Sequence, residues 1–288
     1  RRRLAHERTK SGLVFPAEIA PIAEAVQAMT PRLQALIAHA PMATPAARVE
    51  AAQDVLNRGL RAIAEQAGIG RLWFRGEPAP HVVNPRGVFS IAVVPIDAPV
   101  NVDLDDTAVG TLLGIYAGET FSGESLQGVL LVLHGSNTGL VTLGRSSDGF
   151  LVQDFIWQPD RQAFVERERG DRETSIIEMK AGGDEIAFVG SEAEWVPAFR
   201  TFASSEGHRR GVKVRISQSV ADLYEILLKG GALAHPLTEV EACLWGSVVE
   251  GAGGKFFMMT PDGPVTSAAA LTGASFDPSR QVWAYMGS

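Results

Sequence analysis

Apolar positions recur at helical spacing over the first part of the chain. Pro16 opens a helical stretch over Ala17–Met29. Pro31 starts or kinks a second piece reaching about Ala40, because a proline inside a helix removes a backbone donor. Thr44-Pro45 supplies an N-cap followed by proline at the first helical position. Behind it Val49, Ala52, Leu56, Leu60 and Ile63 share one face, and the helix ends near Gly68. From Arg71 the period changes. Leu72–Arg75, Val88–Val94, Val109–Tyr116, Gly128–Leu133, Leu140–Leu143, Phe150–Gln153, Ala163–Glu166 and Glu185–Val189 read as strands. A helix is expected over Glu192–Ala203. A second α/β run follows: strand Val212–Ile216, helix Ser219–Leu228, strand Ala232–Ala234, helix Thr238–Glu250, strand Phe256–Met259 and a closing strand Val282–Met286.

Helices, then a large mostly antiparallel sheet, then α/β elements predict stacked layers in two subdomains. The first spans 16–190 and the second 191–288. Residues 1–15 form a basic, flexible arm; with no apolar run behind the basic residues they are not read as a signal peptide. The 288 residues suffice for one large domain or two packed halves. A net charge of −7 argues against a nucleic-acid surface, and no apolar run approaches the roughly 18 residues of a membrane span. The single cysteine, Cys243, rules out an internal disulfide and fits a reducing compartment, hence a cytoplasmic protein. It lies in an apolar helical pattern and reads as core packing rather than as a nucleophile.

The chemistry concentrates in residues 94–116, Val-Pro-Ile-Asp-Ala-Pro-Val-Asn-Val-Asp followed shortly by Ala-Val-Gly-Thr-Leu-Leu-Gly-Ile-Tyr. A buried strand delivers Asp97, with Asp103 beyond it, to a turn, where a carboxylate could hold a hard cation. Plainer readings stand beside this one. Asp97 could cap its turn, Asp54 and Glu77 could be solvated carboxylates, and Glu241 could be first-turn helix charge. His235 before Pro236 could be a turn residue, and Lys213 and Arg215 could be ion-paired.

The stretch resembles the D-P-L-D-G-S-S-N-I-D and S-V-G-T-I-F-x-I-Y motifs of class I fructose-1,6-bisphosphatases, within the lithium-sensitive, magnesium-dependent sugar and inositol phosphatases. Further landmarks follow in family order: Gln53–Leu56, Leu133–Thr138, Asp148–Phe150, Val220-Ala221-Asp222, Leu228–Gly231, Glu241–Gly254 and Val282–Ser288. The resemblance implies a layered α/β/α/β/α fold with the site between two subdomains. It places Asp54, Glu77 and Asp97 at catalytic positions, and Glu77, Asp97 and Glu241 at metal positions. Arg215 and His235 fall where substrate-binding tyrosines stand in the family. Other acidic positions hold Arg48, Pro78 and Val94, and the phosphate loop reads Ala98-Pro99-Val100, where Pro99 has no N–H to donate.

Two cations about 4 Å apart need a bridging carboxylate to offset their repulsion, and Val94 supplies none. One magnesium ion at best is therefore expected, on Asp97 and Glu241, since Glu77 alone would bind a second ion poorly. The resemblance implies magnesium-dependent hydrolysis of a small phosphorylated sugar in carbohydrate metabolism, by a homo-oligomer, dimer or tetramer. The alternative is a catalytically impaired descendant, a pseudoenzyme that acts as a binding or regulatory protein.

Overall fold

The computed structural model describes residues 6–8, 14–16, 20–39, 44–97, 109–135, 138–146, 149–167, 177–179, 185–189, 213–217, 220–260, 263–277, 280 and 282–287. Within the basic arm, β1 (His6–Arg8) and β2 (Val14–Pro16) pair as an antiparallel hairpin. Two helices follow, α1 (Ala20–His39) and α2 (Pro45–Gln66). The first runs through Pro31 as one continuous helix rather than two pieces. Proline inside a helix costs about 3 kcal/mol, but Ile22, Val26, Leu33 and Ile37 are all buried, and that burial outweighs the break. The second begins as its sequence dictates: the Ala47 N–H donates to the Thr44 hydroxyl, with Pro45 at the first turn.

An eight-stranded sheet comes next. It holds β3 (Ile69–Phe74), β4 (His81–Val82), β5 (Phe89–Asp97), β6 (Val109–Ala117), β7 (Leu126–His134), β8 (Gly139–Ser146), β9 (Gly149–Gln158) and β10 (Ala163–Glu166). Their order is β10-β9-β8-β7-β6-β5-β3-β4, and all neighbours are antiparallel except β3 and β5. A second, six-stranded sheet holds β11 (Glu185–Val189), β12 (Lys213–Ser217), β13 (Ala232–Leu237), β14 (Lys255–Thr260), β15 (Gly263–Val265) and β16 (Val282–Gly287), in the order β12-β11-β13-β16-β14-β15. Glu185–Val189, grouped by sequence with the first subdomain, pairs in parallel with β12 and β13 of this second sheet. The helix expected over Glu192–Ala203 lies outside the described residues.

Between the sheets lie α3 (Val220–Lys229) and α4 (Glu239–Gly251). Every residue of α4 from Val240 to Val249 is buried, as befits a helix that is apolar all round and covered on all sides. Strand β5 explains the layering. Ile91 and Val93 pack with α1 and α2, whereas Ala92 and Val94 pack with α3, α4 and the second sheet. A strand buried on both faces reads as a continuous apolar run, which is how Val88–Val94 appears in the sequence. Cys243 is buried on α4, and burial pushes its thiol up to about 12, so it stays protonated as a packing residue.

Candidate functional site

Asp97 is the last residue of β5, and the strand is irregular just before it. Val94 pairs with Leu112 and Asp97 with Gly110, so β5 carries one more residue than β6 over this stretch. Such a bulge re-aims the side chain that follows it. The irregularity is braced from below. The Thr111 hydroxyl donates to the Pro95 carbonyl at 2.6 Å, and its remaining lone pair faces His134 Nε2 at 2.8 Å. A hydroxyl that has given its one proton must accept, so His134 is the neutral Nε2–H tautomer. Its Nδ1 is buried with no hydrogen-bond partner among the described residues.

Burial holds the His134 pKa down at about 4. An unfolded chain takes up this proton near pH 6.5, whereas the folded chain does so only near 4, so acid favours unfolding. The contribution is complete above pH 6.5 and is lost as pH falls through about 4, amounting to about 3 kcal/mol. Urea midpoints measured between pH 7 and pH 4 should therefore fall less steeply for His134→Gln than for the native chain. Equal slopes would remove His134 from the acid response.

Gly110 lets a helix approach Asp97. A Cβ there would sit 1.7 Å from Val220 Cγ2, so any other residue would push the start of α3 away. With glycine in place the Val220 N–H, at the head of α3, donates to Asp97 Oδ2 at 2.7 Å. Glu241 is fixed in a parallel manner at the head of α4. Its Oε2 accepts from the Thr238 N–H and hydroxyl, both at 2.9 Å, and Thr238 Oγ1 accepts from the Glu241 N–H. Each carboxylate thus commits one oxygen to a helix start.

The other oxygens, Asp97 Oδ1 and Glu241 Oε1, converge on one atom, Arg75 Nη1, at 3.0 and 3.4 Å. Arg75 follows β3, and its N–H donates to the Val93 carbonyl at 2.8 Å, which anchors its backbone beside β5. Burial raises the Asp97 pKa; the neighbouring guanidinium opposes that rise and the Glu241 charge adds to it. Burial works against the Arg75 charge, but the two carboxylates more than offset it, so its pKa is raised and it stays charged.

These groups line a cavity of about 350 Å³, together with Gly76, Val94, His235, Pro236, Leu237, Thr238 and Trp245. Burial and then the Arg75 charge lower the His235 pKa to about 3, so its imidazole is neutral. It stands edge-on to Trp245, with ring centroids 4.9 Å apart, and its buried Nδ1 has no partner among the described residues.

The residues singled out from sequence thus divide. Asp97, Glu241 and His235 come together. Asp54 is exposed on α2 and pairs with Arg58 at 2.9 Å, outside the cavity lining. Glu77 accepts from the Phe74 N–H and pairs with His81 at 2.9 Å and Arg61 at 3.4 Å, also outside the lining. Arg48 donates to the Ile37 carbonyl. Arg215 lies on β12 opposite Ala187. Asp103 and the Ala98-Pro99-Val100 run lie outside the described residues. Arg75 was not foreseen as a site residue. Its signal was a charge directly after the buried run Leu72-Trp73-Phe74 and before a glycine.

The donor set can be tested against a divalent cation. Among the described residues no group of three or more His, Cys, Asp and Glu side chains is arranged to hold a metal. Two carboxylate oxygens aimed at one point, both now paired with Arg75 Nη1, are the kind of donor pair that a single magnesium ion completed by water uses.

No family model matches the chain. It is 29% identical over 157 residues to a class 1 fructose-1,6-bisphosphatase of Trichlorobacter lovleyi, covering 53% of this chain and 46% of that protein. It is 30% identical over 158 residues to the same-named protein of Campylobacter concisus, covering 54% and 50%. The match thus spans about half the length of these curated relatives. The holo form of Leishmania major fructose-1,6-bisphosphatase superposes with a TM-score of 0.73 at 20% identity, covering 95% of this chain and 91% of that one. Its T-state form gives 0.72 at 18% identity, covering 94% and 90%. The layered α/β fold is therefore shared almost throughout.

Proposed function

We propose that this chain, a relative of the class 1 fructose-1,6-bisphosphatases, is a phosphatase of carbohydrate metabolism that acts on a small phosphorylated sugar in the cavity above Asp97 and Glu241. The observation that carries this reading is the convergence of Asp97 Oδ1 and Glu241 Oε1, each carboxylate fixed through its other oxygen by a helix start. A cavity of about 350 Å³ lies within the range of small-ligand sites. Asp97 and Glu241 would hold one magnesium ion, which when bound supplies Lewis-acid polarisation of a phosphoryl oxygen. Arg75 faces the cavity with a guanidinium suited to phosphate oxygens. Neutral His235 offers Nδ1 to a sugar hydroxyl, and Trp245 fixes its ring edge-on.

The same reading takes the protein as a cytoplasmic homo-oligomer. No described helix is long and apolar enough to cross a membrane. A catalytically impaired descendant is the less favoured reading, because the relatives matched in sequence and in fold carry bisphosphatase names.

Phosphate release from fructose 1,6-bisphosphate, measured with magnesium on protein free of host phosphatase, tests the proposal. Asp97→Asn is expected to lower the rate at least about a hundredfold, equivalent to about 2.7 kcal/mol of barrier. No release by the native chain would end the phosphatase reading. Undiminished release by Asp97→Asn would move the chemistry elsewhere.

A further inference from the structure

We propose that Arg75 is a two-position cation: it occupies the cation position between Asp97 and Glu241 in the empty site and transfers its guanidinium to a phosphate oxygen when a divalent cation enters. The inference rests on the reading of this cavity as a site for one cation and one phosphorylated sugar.

Three observations carry it. First, Arg75 Nη1 lies at 3.0 Å from Asp97 Oδ1 and 3.4 Å from Glu241 Oε1, so it sits where a metal ion would use those same two oxygens. Guanidinium and divalent cation cannot share the position, because like charges at contact distance in a partly buried site repel strongly. Second, the arginine can leave without unfolding anything. Its backbone is tied to β5 through the Val93 carbonyl, and its side chain remains one-third exposed at the cavity wall. The contacts to Glu241 Oε1 and to the Ile96 carbonyl, each 3.4 Å, are long for hydrogen bonds, so the hold is loose on that side. Third, among the described residues lining the cavity Arg75 carries the cationic side chain, His235 being neutral. A displaced guanidinium therefore points its planar fork into a space where a phosphate would otherwise meet two carboxylates.

The consequence is thermodynamic coupling. Divalent cation binding releases Arg75 to phosphate, and phosphate binding draws Arg75 off the carboxylates, so each ligand strengthens the other by the same factor. The cation affinity in the absence of phosphate is reduced by the fraction of molecules in which the carboxylates are free.

Calorimetric titration of the full chain with magnesium, alone and in a fixed concentration of inorganic phosphate, tests this. Phosphate is expected to tighten magnesium binding to the native chain at least about fivefold. Arg75→Gln should bind magnesium alone at least about tenfold more tightly than the native chain and show a clearly smaller phosphate effect, the remainder being direct ligation of phosphate by the cation. Arg75→Lys keeps the charge without the fork, and should retain the competition while losing most of the coupling. Equal magnesium affinity in native and Arg75→Gln proteins overturns the inference, as does a phosphate effect of undiminished size in Arg75→Gln. If neither variant folds by circular dichroism, the native chain decides, and absence of a phosphate effect on its magnesium affinity overturns the proposal. Phosphate release without coupling removes the inference and leaves the phosphatase reading. Coupling without phosphate release removes the phosphatase reading and leaves a cation–phosphate binding site.

Discussion

Replacing Arg75 by methionine is expected to destabilise the metal-free protein by about 3 kcal/mol, read as a lower urea midpoint at unchanged slope. The side chains of Asp97 and Glu241 are only 6% and 5% exposed. Each is partly satisfied by a helix start, but their facing oxygens share a single counter-charge. Removing it leaves two buried carboxylates pointing at one another. Loss of one partner from a buried pair costs about 3–5 kcal/mol. The lower end applies because a third of the Arg75 side chain is in contact with solvent. A second substitution separates charge from packing. Asp97→Asn added to Arg75→Met removes one of the stranded charges, and should recover at least about 1 kcal/mol relative to the sum of the single effects. Strict additivity would show that Arg75 stabilises through its stem alone. The Asp54–Arg58 pair offers a contrast on the same scale. It is exposed and spans one helical turn, so its removal should cost no more than about 0.5 kcal/mol.

Trp245→Ala is expected to cost about 3–5 kcal/mol, the range for deleting a large buried aromatic. Trp245 is 2% exposed on the helix that fills the space between the two sheets, so its neighbours belong to opposite layers and cannot close over the void from one side. The ring also forms one wall of the cavity and holds His235 edge-on. The variant should thus lose stability and, in the calorimetric titrations, bind fructose 1,6-bisphosphate more weakly, while its magnesium affinity is unchanged. Trp245→Phe, which keeps an aromatic edge against His235, should recover most of the stability. A loss below about 1 kcal/mol for Trp245→Ala would mean that the central helix is less tightly clamped than its burial implies.

Much of the fold was legible in the chain because its elements obey local rules. Thr44-Pro45 starts a helix as read, and the helix read over Thr238–Glu250 is present, its reciprocal Thr238–Glu241 cap being seen only in the structure. Strand β5 is unbroken apolar sequence because it is covered on both faces, and the sequence reading of Val88–Val94 stops only a few residues before its true end at Asp97. Pro31 was misread for a physical reason. Its local penalty is visible in sequence, but the burial of Leu33 and Ile37 that overrides it depends on how α2 folds back against α1 and on Ile96, which lies far along the chain. The site was legible only in part. Asp97, Glu241 and His235 were singled out by motif, and they line one cavity. Arg75 carries no motif, and its role exists only because β3 runs parallel to β5 and ends opposite Val93, leaving the next residue beside the last stretch of β5 toward Asp97.

By itself, the sequence determined the order of the elements, the continuous apolar strands, the cap at Thr44, and the acidic residues offered to a site. These follow from interactions within a few residues, so the neighbours are known as soon as the chain is read. Only the tertiary structure decided which carboxylates meet. Glu77 turns to Arg61 and His81, Asp54 turns to Arg58, and Asp97 and Glu241, 144 positions apart by their numbers, face one guanidinium. That outcome depends on a bulge in β5, on Gly110 admitting the start of α3, and on Arg75 arriving from a neighbouring strand. Charge between residues distant in sequence is set by where the layers place them, and no local pattern encodes it.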